Sequence, residues 1–278
     1  MMDILRRIWR SPSGRIGLIA TLLVVIGGLA APLIATHMPN QIDVAARLTP
    51  PSATHWLGTD HLGRDLFSRG LYGTRVAVGV ALAVTATALL IGILLGVIAA
   101  YAPTPVERTI LAVFDIISSY PSLILALALV AVLGPGLLNI IILVTIVFVP
   151  QFGRIARAQT LTIKERPFLE AERALGASGG RIMFHHVLPN IVGPIVVLAS
   201  MNIPVVITLE AGLSFLGVGI RPPLASWGSM LFDGFNYLEQ SVWPVLVAGG
   251  MLTLATLGFT LFGEALRDAI DPKLRREP

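Results

Sequence analysis

The sequence has few charged residues. Only 13% of its 278 residues are Asp, Glu, Lys or Arg, compared with roughly 25% in soluble domains. Hydrophobic residues make up 55% of the chain, and the mean hydropathy is +0.81. This balance is typical of a protein embedded in a lipid bilayer. The 20 basic residues exceed the 16 acidic ones, but they lie beside apolar segments, so no nucleic-acid partner is predicted.

Three kinds of site are also missing. Cysteine is absent, which excludes disulfide bonds and thiolate metal sites. No His-Glu-x-x-His occurs, and the adjacent His185 and His186 do not share a helix face, so no metal or catalytic residue is predicted. A phosphate-binding loop ends in Gly-Lys-Ser/Thr, yet the two lysines, Lys164 and Lys273, follow isoleucine and proline. The chain therefore has no phosphate-loop ATPase of its own, and we expect it not to be an enzyme.

Six windows are apolar and long enough to cross a bilayer, which takes about 20 residues as a helix. Runs such as Val80–Val97 do not alternate apolar and polar residues, so they predict helices and not the strands of a membrane barrel. Gly134-Pro135-Gly136 predicts a tight turn between the third and fourth windows. The windows are Ile16–Thr36, Val76–Tyr101, Ile110–Leu133, Gly134–Phe152, Ile191–Leu209 and Val242–Phe262.

The distribution of basic residues predicts the orientation. With the N-terminus inside, 15 of the 20 basic residues lie in cytoplasmic segments and five lie outside, as the positive-inside rule favours. Both termini are then cytoplasmic. The first window follows four arginines, as a signal peptide does, but its length favours a retained helix.

The segment between the fourth and fifth windows, Gly153–Pro189, has the most informative pattern. Residues 170–175 suit a helix, Gly176 can take the left-handed conformation that ends one, and Ser178 can cap a second helix. Pro189 then precedes the next window. The pattern predicts two short helices at an angle, which a soluble partner can hold in a groove.

This segment resembles the EAA loop of binding-protein-dependent ABC importer permeases. The family pattern is Glu-Ala-Ala, three residues, Gly, nine residues, an apolar residue, any residue, then Leu-Pro. Glu172 stands where the second alanine is usual and His186 where the apolar residue is usual. The resemblance implies that this loop couples the chain to an ATPase. The coupling residues it assigns are Glu170, Ala171, Gly176, Ala177, Leu188 and Pro189.

Other strings resemble the dipeptide, oligopeptide and nickel branch of these permeases, and its C-type subunit in particular. They are residues 55–65 (HWLGTDHLGRD), 211–219 (AGLSFLGVG) with Trp227-Gly228, and 266–272 (LRDAIDP). The resemblance implies an all-α fold with six transmembrane helices, the type I ABC importer permease fold. It also implies a bacterial inner-membrane subunit for di- or oligopeptides, with nickel chelates, glutathione or opine-like compounds as alternatives.

The resemblance further implies partners. These are a related B-type permease, two ATPase subunits that bind ATP and Mg²⁺, and a periplasmic solute-binding protein. No cofactor is expected in this chain.

The expected organisation follows from the windows and the orientation. Residues 1–15 form a cytoplasmic segment, 16–36 the first transmembrane helix and 37–75 a periplasmic segment. Residues 76–266 form a five-helix core, which includes the cytoplasmic loop 153–189 and the periplasmic segment 210–241. Residues 267–278 form a cytoplasmic tail.

Four polar residues inside the windows are candidates for lining a translocation pathway: Asp115, Ser119, Tyr120 and Asn202. Asp115 can instead pair with Arg108 or with a neighbouring subunit, and Tyr120 and Asn202 can form helix–helix hydrogen bonds. A proton-coupled secondary transporter is the remote alternative. It requires ionisable groups near the bilayer midplane, and the sequence shows no relay of such groups.

Two further expectations concern the outer face. Glu210, Trp56 and Trp227 are expected at membrane or subunit interfaces. The charged run Asp60–Arg75 is either a solvated or interfacial helix with local ion pairs, or a dock for the external binding protein or a brace between subunits.

Overall fold

Long helices dominate the computed structural model, which describes residues 2–270. A short 3₁₀ turn lies at Val44–Ala46 and a π turn at Met183–Val187. The α-helices are α1 (Met2–Arg10), α2 (Pro12–Leu29), α3 (Ala31–Ile34), α4 (Leu66–Tyr101), α5 (Thr104–Ser118), α6 (Ser122–Leu133), α7 (Leu137–Lys164), α8 (Pro167–Ala174), α9 (Gly179–Ile182), α10 (Leu188–Phe215), α11 (Trp227–Asn236) and α12 (Trp243–Ile270).

Five helical stretches within the described residues are long and apolar enough to cross a membrane. They are α2, α4, α7, the continuous stretch from α9 to α10, and α12. Each contains most of one predicted window, so the prediction of an all-α membrane protein is confirmed. The predicted tail at 267–278 lies largely outside the described residues.

The third predicted span is not one straight helix. Its residues form α5 and α6, which meet at an angle of 95°. Proline has no N–H to donate and disfavours helical geometry in the residue before it, so Pro121 ends the helix near Tyr120. The chain therefore has six spans only if this bent pair counts as one.

Several helices extend beyond the predicted apolar windows. The first turns of α4 lie in the predicted periplasmic segment, since Asp65 caps this helix by accepting from the Ser68 N–H. Helix α7 likewise continues past its predicted window, which ends at Phe152, as far as Lys164. The outer segment also contains α11. Hydropathy marks the part of a helix that suits lipid, but a helix can continue wherever its backbone is hydrogen-bonded.

Glycine brings α4 and α7 together at the centre of the fold. A Cβ atom on Gly92 would lie 2.5 Å from the Phe152 Cβ, and one on Gly96 would lie 2.9 Å from the Ala156 Cβ. Phe114 of α5 packs against Gly153 of α7 and is almost fully buried. Small residues allow helix backbones to approach closely where lipid gives little hydrophobic drive to associate.

Candidate coupling loop and translocation pathway

The loop between α7 and α10 has the predicted local structure. Helix α8 ends at Ala174, and Gly176 follows with φ of +82°. The hydroxyl of Ser178 accepts a hydrogen bond from the Arg181 N–H and caps α9. The left-handed bend at Gly176 therefore separates two short helices, as the sequence predicted.

Three apolar side chains hold this loop against the membrane core. Leu169, Ile182 and Val187 are buried and belong to the main hydrophobic cluster. Ala177 and Leu188, two of the predicted coupling residues, are half-buried and pack on the same cluster. These five residues therefore fix the position of the loop against the membrane helices.

The opposite side of the loop is exposed. Glu170, Ala171, Gly176 and Pro189 are all solvent-accessible in the chain. Two large apolar side chains, Leu175 and Phe184, accompany them with 84% and 69% of their surface exposed. Exposed apolar groups rimmed by polar ones are typical of a protein contact. The family pattern does not specify these two positions, so the sequence analysis missed them.

The two departures from the EAA pattern contact each other. The Nε2 atom of His186 lies 3.6 Å from a carboxylate oxygen of Glu172, and both side chains are half-buried. The His186 ring also lies edge-on to Phe168, with 5.8 Å between ring centroids. The pair therefore links α8 to the π turn before α10.

A polar surface lies beside the break between α5 and α6. The Arg154 guanidinium donates to the Asp115 carboxylate at 2.7 Å, and both side chains are well exposed. The alternative pairing of Asp115 with Arg108 is therefore wrong. The Ser119 hydroxyl donates to the backbone carbonyl of Asp115, and Tyr120 is 57% exposed.

A pocket of about 470 Å³ opens on this surface. Its polar lining includes Ser118, Tyr120, Gln151 and Arg154. Arg154 lies on α7 two residues past the apolar window that ends at Phe152, at the edge of the part of the helix that suits lipid. Charged and strongly polar groups beside the hydrocarbon contact water, headgroups or another protein chain, because lipid tails offer them no partner. This surface is therefore a candidate for a pathway or for a subunit interface.

The structure does not bring all four predicted pathway residues together. Asp115, Ser119 and Tyr120 lie at the break. Asn202 is buried in α10, where its side-chain amide donates to the Leu198 carbonyl of the same helix. Gln151 was missed, although it precedes Arg154 by three residues and so shares its face of α7.

The charged run before α4 is a buried brace within the chain. The Arg64 Nε donates to the Asp60 carboxylate at 2.6 Å, and the Arg69 Nε lies 3.4 Å from the same oxygen. Arg64 also donates to Asp233 of α11. Asp60, Arg64 and Arg69 are each less than 9% exposed, so these three are not solvated. The expected local ion pairs are present, and Arg75 is exposed.

Two residues expected at interfaces lie inside the chain instead. Glu210 is fully buried, and its carboxylate accepts hydrogen bonds from the hydroxyls of Ser214 and Ser226. Trp227 is 1% exposed, and its indole N–H donates to the Gly70 carbonyl at 3.0 Å. Trp56, by contrast, is 55% exposed. The buried pair joins α10, α11 and α4.

Comparison with known proteins agrees with this architecture. Residues 92–276 match the family described as binding-protein-dependent transport system inner membrane component. The chain belongs to this family. Residues 1–51 match the N-terminal transmembrane domain of oligopeptide transport permease C. The chain is thus a multi-pass inner-membrane transport subunit that works with ATPase and binding-protein partners, and it is not an enzyme.

Curated relatives cover most of the chain. The dipeptide transport system permease protein DppC of Alkalihalophilus pseudofirmus is 40% identical over 94% of this chain and 86% of its own length. The probable D,D-dipeptide transport system permease protein DdpC of Escherichia coli is 41% identical over 90% of this chain and 84% of its own length.

A solved structure shares the fold. A chain of the inward-facing MetNI methionine ABC transporter superposes with a TM-score of 0.57 at 19% identity. The match covers 71% of this chain and 94% of that chain. This confirms the predicted type I importer permease fold.

Proposed function

We propose that this chain lines the pathway of an ATP-driven importer for dipeptides or oligopeptides. The observation that carries the proposal is the exposed polar surface of Asp115, Tyr120, Gln151 and Arg154 at the break between α5 and α6. Relatives named for dipeptide transport support peptides as the solute. Peptides carry both an amino and a carboxylate group, and the Asp115–Arg154 pair offers one charge of each sign.

The proposed assembly contains one copy of this chain, a related B-type permease, two ATPase subunits and a periplasmic binding protein. ATP and Mg²⁺ bind to the ATPases in this arrangement. The termini and the loop at 153–189 face the cytoplasm, which the 15-to-5 distribution of basic residues supports. The ATPases then meet the exposed side of the loop, including Glu170, Leu175 and Phe184.

Uptake by the reconstituted assembly tests the pathway. Arg154→Ala is expected to lower ATP-dependent dipeptide uptake by up to about fivefold, because a charged contact with this much access to water contributes about 0–1 kcal/mol. The measurement is uptake of labelled dipeptide into proteoliposomes. Arg108→Ala is the matched control, since Arg108 is exposed nearby and forms no ion pair among the described residues.

Three outcomes would contradict this proposal in different ways. Equal uptake by the Arg154 and Arg108 variants would remove Arg154 from the pathway. Uptake of a nickel chelate, glutathione or an opine by the parent, without dipeptide uptake, would overturn the peptide assignment. Uptake driven by a proton gradient in the absence of ATP would instead support a secondary transporter.

A second test concerns coupling. Gly176→Val is expected to reduce uptake and the ATPase response to loaded binding protein, because a β-branched residue at φ of +82° is strained by at least about 1 kcal/mol. The expected strain does not come from a steric clash, because no atom lies within 4 Å of a Cβ added at Gly176. Membrane insertion is expected to stay intact.

The control for this test lies in the same loop. Gly180→Val also meets open space, but Gly180 is in α9 and has no positive φ. Glu170→Ala is expected to weaken coupling less than Gly176→Val, through lost polar contacts. If Gly176→Val assembles and transports as well as Gly180→Val, the bend has no coupling role.

A further inference from the structure

Two histidines and an aspartate converge outside the membrane helices, between the end of α3 and the start of α4. The Nδ1 atom of His55 lies 2.9 Å from the Asp65 Oδ1, and the Nδ1 of His37 lies 3.8 Å from the same oxygen. One donor atom from each residue falls within 4.8 Å of the others. The two imidazole rings are stacked, with 4.5 Å between centroids.

We propose that His37, His55 and Asp65 bind one divalent transition-metal ion, with Zn²⁺ as the probe. Imidazole nitrogen and carboxylate oxygen are ordinary zinc ligands, and bonds of about 2.0–2.1 Å in a tetrahedron place donor atoms about 3.3 Å apart. The observed separations of 2.9 and 3.8 Å lie on either side of that value. The third separation, between the two imidazole nitrogens, is at most 4.8 Å. Movements of up to about 1.5 Å therefore bring the three donor atoms to the spacing of zinc ligands.

Hydrogen bonds already hold the ligands in place. The Oδ2 atom of Asp65 accepts from the Ser68 N–H and hydroxyl, both at 2.8 Å, and from the Thr36 hydroxyl at 3.2 Å. This leaves Oδ1 directed at the two imidazoles. The backbone N–H of His37 donates to the Ser68 hydroxyl at 3.1 Å, which fixes the start of that side chain. Such outer contacts orient ligands in metal sites.

The side chains of Asp65, His37 and His55 differ in exposure. The carboxylate side chain is fully buried, while the His37 side chain is 31% exposed and His55 14% exposed. Metal therefore reaches the cluster past His37, and a water molecule completes the coordination.

The simpler alternative is that these three side chains bind no metal and only tether this segment to the start of α4 by hydrogen bonds. His55 serves both interpretations, since its Nδ1 donates to Asp65 within hydrogen-bond distance. His37 serves only one, because its Nδ1 is too far from Asp65 for a hydrogen bond and instead contacts Thr36 at 3.0 Å. His37 is therefore the residue whose removal separates the two.

Zinc titration of the full-length chain in lipid nanodiscs tests the proposal, with an affinity tag that contains no histidine. The parent is expected to bind one Zn²⁺ and to melt at a higher temperature with it. His37→Ala is expected to lose more than tenfold in affinity, since loss of an outer-shell partner alone costs 10–100-fold. Its metal-free melting temperature is expected to match the parent.

His185→Ala is the matched control, since His185 is exposed in the cytoplasmic loop and outside the cluster. It is expected to bind zinc like the parent. His37→Gln, which keeps a polar side chain, is the second variant and is expected to lose zinc as His37→Ala does. No zinc binding by the parent, or equal affinity in the His37 variants, would establish the tether and overturn the metal site. Equal affinity for Mg²⁺, which prefers oxygen ligands, would also overturn it.

Discussion

Gly96→Val is expected to abolish the folded, monodisperse protein. A side chain at this position would enter the contact between α4 and α7, where its Cβ would lie 2.9 Å from Ala156 and closer still to the Gly153 carbonyl oxygen. Because the obstacle is helix backbone, the helices must separate. Overpacking costs about 1–3 kcal/mol where side chains can adjust, and we expect at least the upper end here.

Gly79→Val provides a matched control on the same helix. Gly79 is exposed, and no atom lies within 4 Å of a Cβ built there. Both substitutions place valine in α4, so any loss of helix propensity is shared. The measurement is the yield of monodisperse protein and its melting temperature in detergent. Equal behaviour of the two variants would show that the close approach of α4 and α7 does not stabilise the fold.

Asp60→Ala is expected to have the second large effect. Its carboxylate lies between the buried guanidinium groups of Arg64 and Arg69, and it also accepts from the backbone N–H groups of Leu62 and Arg64. Removing one member of a buried ion pair costs about 3–5 kcal/mol, because the remaining charge stays without compensation. Here Arg69 loses its carboxylate partner, and Arg64 keeps only the partly exposed Asp233. We therefore expect loss of this buried brace and poor assembly.

Asp233→Ala tests whether the large effect expected for Asp60→Ala comes from the burial of its carboxylate. Asp233 meets Arg64 at 3.3 Å, but its side chain is 29% exposed, and water replaces it when it is removed. Ion pairs with such access to water contribute about 0–1 kcal/mol. Melting temperatures of the two variants and of the parent provide the comparison. A drop for Asp233→Ala as large as that for Asp60→Ala would contradict the role assigned to the buried carboxylate.

Local signals made much of the coupling loop predictable. Gly176 and Ser178 act through their own backbone or through a neighbour three residues away, so the bend and the cap follow from the sequence. The contact between Glu172 and His186 was not predictable in the same way. It depends on how the bend folds the second helix back toward the first, which no residue spacing specifies.

The proposed pathway surface was only partly predictable. Asp115 and Tyr120 stood out because polar residues are rare in apolar windows. Arg154 was assigned to the loop, because a charged residue ends a hydropathy window even where the helix continues. The pairing of Asp115 with Arg154 joins residues 39 positions apart. Such a contact exists only because α5 and α7 pack together.

The sequence by itself determined that the chain is helical, lies in the membrane and bends at Gly176, because hydropathy and turn preferences are properties of short segments. Tertiary structure alone decided which polar groups meet. It buried Glu210 and Trp227 inside the fold, bent the third span by 95°, and brought His37 and His55 to Asp65. The physical reason is that these outcomes depend on the close packing of helices distant in sequence, where each buried polar group must find a partner.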